Sequence, residues 1–476
     1  MVINRKIFLC ILAILHCQYV FALGPESIFY FAADGRVKNT LPVPVKENKF
    51  RYSSNIESDA RTAVICNQRK FSGKPGDYIT PVLDDGTFIW LISEKDCNFT
   101  NIVKWNPDTD KNEKIFIPNQ DIVGIVSDGK KAYAIIYGAE RWHYLFFDKS
   151  MKCLHQKILC ENKNAVNIIW DERSPVSEKW LARISYSDRM ESVILCDLKS
   201  QTYSFLSSDK KLSKNHRFSI SYPASDGEII NAIVTVPEKT DRPLPLVVFP
   251  HGGPGATTML DYDYRADFLA SRGFVVFQPN YRGSHGFGKK FRQQGWGALG
   301  IKKQLSDIVD GTKYMKRQSY IDKSRCYVLG GSWGGYLSLA LLTFEKNLFN
   351  AGVVLFGPSD LVAMLKTFPE KSKANKFLDK LQYGDINNSL HIEQLKQLSP
   401  LFHLKKLQVP TLVVHFKDDK IVEFEQTAEL MRECRKLQLK NIHFIIKLGK
   451  HGFDSIAAES EFYDKFVDFF NYAAVK

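Results

Sequence analysis

Between Leu23 and about Phe218 the apolar residues come in short runs, at 88–92, 134–137, 144–147 and 192–195, rich in aromatic and β-branched side chains and parted by polar turns. Runs of that length and composition predict strands. Asp-Gly pairs recur at Asp34-Gly35, Asp85-Gly86 and Asp128-Gly129, at steps near the roughly 40–50 residues of a four-stranded propeller blade. Such turns are common by chance in so much β-structure, so the strands carry the reading: a short, all-β, propeller-like domain over residues 23–215.

After about His216 the pattern changes. Buried-type strands at 229–236, 246–249, 275–278, 326–329, 352–356, 411–415 and 442–446 alternate with segments of helical apolar spacing at 303–317, 336–344 and 425–435. Alternation of that kind implies an α/β domain built on a doubly wound, mostly parallel sheet, spanning residues 216–476. The chain's 476 residues suit two domains better than one.

The first residues read MVINRK, followed by the apolar run 7–15 and by Val20-Phe21-Ala22. This predicts a signal peptide over residues 1–22, cut after Ala22, and a secreted or periplasmic protein. The run falls well short of the roughly 20 residues that span a bilayer, and no later segment reads as a span, so no stable membrane insertion is expected. Hydrophobic residues at 44% and aromatics at 13% exclude collagen-like, coiled-coil and largely disordered chains. The formal charge of +13 comes from scattered lysines without interleaved aromatics, which reads as a solvated surface rather than a nucleic-acid site. Of the 9 cysteines, Cys10 and Cys17 lie in the leader. The rest show no metal-ligand spacing, so neither metal nor cofactor is expected; in an exported chain Cys153 and Cys160 are the expected disulfide partners.

Gly330-Gly331-Ser332-Trp333-Gly334-Gly335-Tyr336 follows a predicted strand and opens a predicted helix. That is the context of a nucleophile elbow, in which glycines permit a strained turn and the helix N-terminus favours developing negative charge on or near the serine. A base must follow in the chain, and His391, His403, His415, His443 and His451 are the candidates. His443 lies within a strand, and His415 ends one with no acid placed between it and Ser332. His451 sits in a glycine-flanked loop after the last strand, where its imidazole can reach the elbow. For the acid, Asp418 and Asp419 both follow the strand ending at His415; one should hold the imidazole and the other face water. His251-Gly252-Gly253-Pro254 follows the 246–249 strand, so its backbone N–H groups can hold an oxyanion together with that of Trp333.

HGGP at 251–254, Asn280-Tyr281-Arg282-Gly283-Ser284-His285-Gly286-Phe287-Gly288, Trp296-Gly297, Asp307 through Gly311, the GGSWGGY elbow and Gly357-Pro358-Ser359 together resemble the prolyl oligopeptidase family of serine peptidases. The likeness covers residues 219–476 and is nearest to the acylaminoacyl-peptidase and dipeptidyl-peptidase branch. It implies an α/β-hydrolase catalytic domain behind a β-propeller, with Ser332 as nucleophile, His451 as base, Asp419 as acid, and Gly253 with Trp333 as oxyanion donors. Three departures accompany it. Phe416 stands where the family has glycine. Asp419-Lys420-Ile421-Val422-Glu423 lacks the family's arginine, a residue that grips a substrate carbonyl. The N-terminal domain has chain for about four blades of the usual seven.

These readings point to a serine peptidase acting on short peptides through an acyl-enzyme. A carboxylesterase with the same triad is the second reading and a non-catalytic propeller scaffold the third. So short a propeller is expected to remain an open cap or to shield its edge strands in a homodimer.

Overall fold

A computed structural model describes residues 2–4, 28–31, 37–41, 52–56, 62–66, 69–72 and 79–475, the last with breaks at 86, 116, 118, 129–130, 174–178, 209–211, 240 and 368–379. The apolar leader at 7–22, the Asp34-Gly35 pair and the glycines of the other two Asp-Gly pairs lie outside the described residues. Among those described, no helix is long and apolar enough to cross a membrane.

From Tyr52 to Ser207 the strands form four successive antiparallel sheets of three, four, three and four strands. Each is a meander, and the first strands of neighbouring sheets meet: Ile122–Ser127 packs against both Ile79–Asp84 and Ala165–Arg173. Propeller blades are arranged in this way. One element departs from the all-β expectation. After His143–Phe146 the chain turns into helix α1 (Lys149–Glu161), capped by the Asp148 carboxylate on Met151 N at 2.9 Å. Its Met151, Leu154 and Ile158, at helical spacing, are buried with Trp170 and Trp180. The expected Cys153–Cys160 bridge does not form, because both thiols lie free on this helix. Seven residues of α-helix separate their Cα atoms by about 10 Å, beyond the ~7 Å that a disulfide spans.

The second domain is an eight-stranded sheet of β1 (His216–Pro223), β2 (Ile229–Val236), β3 (Leu244–Val248), β4 (Val275–Asn280), β5 (Ile321–Gly331), β6 (Ala351–Leu355), β7 (Thr411–Phe416) and β8 (Ile442–Lys447). The spatial order is β1-β2-β4-β3-β5-β6-β7-β8. Pairings from β4 to β8 are parallel, and β1 and β2 run antiparallel at one edge. Both faces are covered, which is why the central strands read as continuous apolar runs. Leu246 and Val248 face one cluster with α4 (Trp333–Phe344) and α3 (Gly297–Lys316). Val247 and Val276 face the other, closed by α2 (Tyr264–Ser271) and α5 (Ile456–Val475). β1 gave no apolar signal because most of its side chains are exposed.

Candidate active site

Every residue picked from the sequence sits at the C-terminal ends of the sheet strands, where open α/β sheets bind ligands. Ser332 follows directly on β5 and caps α4 with φ 57° and ψ −123°, a conformation strained for a residue with a Cβ. Its neighbours must be glycine for a different reason, close approach of backbone. A Cβ on Gly330 would lie 2.3 Å from Gly334 O, and one on Gly334 would lie 2.2 Å from Pro250 O. The tight turn therefore clamps the β3 loop directly onto the elbow. Gly252 lies in the same contact: a Cβ there would lie 3.2 Å from Gly331 O, tight enough that the turn would have to give, and 3.4 Å from Ser332 Cβ. Gly253 has φ +124°, which glycine alone adopts readily. The Trp333 indole is buried and donates to Gln304 Oε1 at 2.8 Å, so its ring anchors the start of α4.

Of the two carboxylates, the structure brings Asp419 to the histidine. Its Oδ2 accepts from His451 Nδ1 at 2.6 Å, and its Oδ1 accepts from Ile421 N at 2.8 Å and Val422 N at 3.0 Å. Asp419 is 2% exposed, whereas Asp418 is exposed. Burial opposes ionisation of Asp419, but hydrogen bonds from His415 and His451 outweigh it and hold the carboxyl well below the usual carboxylate range.

His415, set aside as a base, lies beneath this acid. Its fully buried ring places Nε2 3.5 Å from Asp419 Oδ2, donates from Nε2 to Val422 O at 3.0 Å, and accepts at Nδ1 from the Thr427 hydroxyl at 2.7 Å. It braces the turn that carries Asp419.

Phe356 lies between the Asp419–His451 pair and the elbow that carries Ser332. Its ring packs edge-on against His451 with centroids 4.9 Å apart, and lies 3.2 Å from where Gly331 would carry a Cβ. Among the described residues no hydrogen bond joins Ser332 to His451; such contacts commonly tighten only with substrate bound. Phe416, at the glycine position of the family pattern, packs on Gly449 and Phe453 and fills the space behind the histidine loop. Ile421, at the arginine position, is 55% exposed. Arg282 and Asp307 are not site residues. They form a buried bidentate pair that fastens the turn after β4 to α3.

In comparisons with known proteins, residues 260–476 match the prolyl oligopeptidase family. The chain is 31% identical over 217 residues to the dipeptidyl aminopeptidase BIII of Pseudoxanthomonas mexicana, covering 45% of this chain and 31% of that protein. It is 27% identical over 300 residues to dipeptidyl peptidase family member 6 of Caenorhabditis elegans, covering 57% and 40%. The chain thus spans less than half the length of these curated relatives. A solved puromycin-hydrolyzing peptidase from Mycobacterium tuberculosis shares the fold, with a TM-score of 0.71 at 17% identity over 96% of this chain and 78% of that one.

Proposed function

From the match of residues 260–476 to the prolyl oligopeptidase family, we propose that the protein is a serine peptidase of that family that cleaves short peptides through an acyl-enzyme on Ser332. The observation that carries this reading is the buried Asp419–His451 pair at 2.6 Å, set beside a strained serine at a helix N-terminus. Ser332 Oγ attacks the substrate carbonyl carbon while its proton passes to His451 Nε2. Asp419 keeps the other imidazole proton on Nδ1 and stabilises the imidazolium. The charge on the carbonyl oxygen is met by the N–H groups of Gly253 and Trp333. His451 then protonates the leaving amine, the C–N bond breaks, and water releases the acyl group by the same relay.

Exposed Ile421 in place of a carbonyl-gripping arginine favours a second reading, a carboxylesterase. Relative turnover of aminoacyl-anilides and nitrophenyl esters separates the two. Failure to label Ser332 with a fluorophosphonate would overturn both and favour a binding scaffold. The same proposal includes export through the 1–22 leader, so that the substrates are peptides outside the cytoplasm.

A further inference from the structure

We propose that the β domain positions the oxyanion segment, residues 251–258, by gripping the 280–292 segment that frames it, so that Glu94, Asp121 and Glu140 serve as positioning residues. The inference rests on the reading of Ser332 as an acylating nucleophile. It starts from a buried charge at the domain junction. Glu94 is fully buried and its carboxylate takes the Arg292 guanidinium, with Nη2 2.7 Å from Oε2. A buried pair of this kind specifies an arrangement more than it adds stability.

Around that pair the β domain holds the same segment repeatedly. Asp121 Oδ2 accepts from Gly288 N at 2.7 Å, Asn98 O accepts from Lys289 N at 2.6 Å, and Asn98 Oδ1 accepts from Lys290 N at 2.7 Å. A Cβ on Gly286 would lie 2.7 Å from Ala139 Cβ, and one on Gly288 would lie 2.8 Å from Asn98 Nδ2. Both glycines of the Gly286-Phe287-Gly288 motif have φ +88°, so their backbone calls for glycine in any case, and the neighbouring domain lies close enough to leave no room for a side chain at Gly286.

The gripped segment in turn frames the oxyanion segment, which belongs to no helix or strand. Thr257 Oγ1 donates to His285 O at 2.7 Å, Ser284 Oγ pairs with His251 Nε2 at 2.9 Å, and the His285 ring lies 2.8 Å from where Gly255 would carry a Cβ. The Asn280 carboxamide accepts from Thr258 N at 2.7 Å and donates to Glu140 Oε1 at 3.0 Å, while Leu260 N donates to Glu140 O at 2.9 Å. A loop without its own ladder takes its position from its neighbours, and misplacing an oxyanion donor by an ångström slows chemistry steeply. The loops carrying Asp419 and His451 take part in none of these contacts, so the base should be unaffected when the grip is loosened.

The test uses the full chain with Glu94→Gln, which weakens the charge pair, and Ala139→Val, which presses on Gly286 without removing a polar group and stands in if the first variant fails to fold. The expected result is amide exchange at 251–260 faster by about 10-fold, with exchange at 326–331 and 411–422 as in the parent. For a nitrophenyl ester, kcat should fall about 10- to 100-fold with KM little changed. The pH midpoint of kcat should stay fixed, and the preference for the oxo ester over its thiono analogue, which reports on oxyanion contacts, should shrink. The proposal is overturned if 251–260 exchanges as in the parent, or if exchange rises uniformly across the hydrolase domain. A parent protein unreactive toward fluorophosphonate would refute the catalytic reading, while the exchange measurement would still decide the mechanical link.

Discussion

Replacing Asp419 by asparagine exchanges one carboxylate oxygen for an amide nitrogen, and the structure dictates which one. The oxygen that accepts from Ile421 N and Val422 N at 2.8 and 3.0 Å must remain an oxygen, because backbone donors cannot face an N–H. The amide nitrogen then occupies the place 2.6 Å from His451 Nδ1 and donates to it. The imidazole is driven to carry its proton on Nε2, the atom that must accept from Ser332, so kcat should fall on the order of 10⁴-fold, about 5 kcal/mol of barrier. Asp418→Asn should change kcat by no more than about 3-fold, since Asp418 is exposed and, among the described residues, its carboxylate takes only a long contact, 3.4 Å, from Gly449 N. The assay is kcat on a nitrophenyl ester for both variants, with thermal unfolding to confirm that each is folded. A larger loss in Asp418→Asn, or an Asp419→Asn enzyme within 10-fold of the parent, would refute the assignment of acid and tautomer together.

Ser332→Ala and His451→Ala should each lower kcat by several orders of magnitude while the protein stays folded, because triad members act as a unit; stopped-flow acylation and circular dichroism check both halves of that statement. Ile421→Arg, at a 55% exposed position, should raise turnover of aminoacyl-anilides relative to esters by about 10-fold through one charged hydrogen bond; an unchanged ratio would show that the position does not meet the substrate. Burial lowers the pKa of His155 to about 4, so the unfolded chain binds the extra proton first. The β domain should therefore lose up to about 3 kcal/mol as pH falls from 6.5 to 4, and His155→Phe should flatten denaturant-midpoint curves over that window. In a length series of peptides sharing one cleavage site, kcat/KM should persist as the peptide grows if the short β domain leaves the cleft open; collapse beyond a few residues, with a monomeric protein, would show a closed site.

What the sequence disclosed was local, and what it hid was three-dimensional. The elbow could be read because its glycines, strand and helix are contiguous and each is required by the turn itself. The strands of the parallel sheet could be read because burial on both faces leaves an unbroken apolar run. Asp418 and Asp419 could not be told apart from residues alone, since the turn at 417–423 decides which one points inward. His415 looked idle for the same reason: its partners, Val422 O and Thr427, are brought beneath the acid only by the fold. Helix α1 was missed although Met151, Leu154 and Ile158 follow helical spacing, because thirteen residues within a long β pattern weigh little against their surroundings. That error also misled the cysteine pairing, which looked reasonable only if residues 153–160 were a loop.

Helix α5 has a consequence for the boundaries of the second domain. It begins after His451 and contributes no catalytic atom, yet it brings Phe462, Tyr463, Phe466 and Phe470, none more than 8% exposed, onto Val247, Val276 and the rest of one sheet face. Its Glu459 also receives the Arg265 guanidinium of α2 at 2.6 Å. Four buried aromatic side chains at about 1.5–3 kcal/mol each match the whole stability of an ordinary domain. A chain cut between His451 and Ile456 would hold Ser332, Asp419 and His451 on a sheet with one apolar face bare to water, and it should aggregate. Tags, fusions and excised fragments must therefore be planned from the far end of this helix rather than from the last residue that does chemistry.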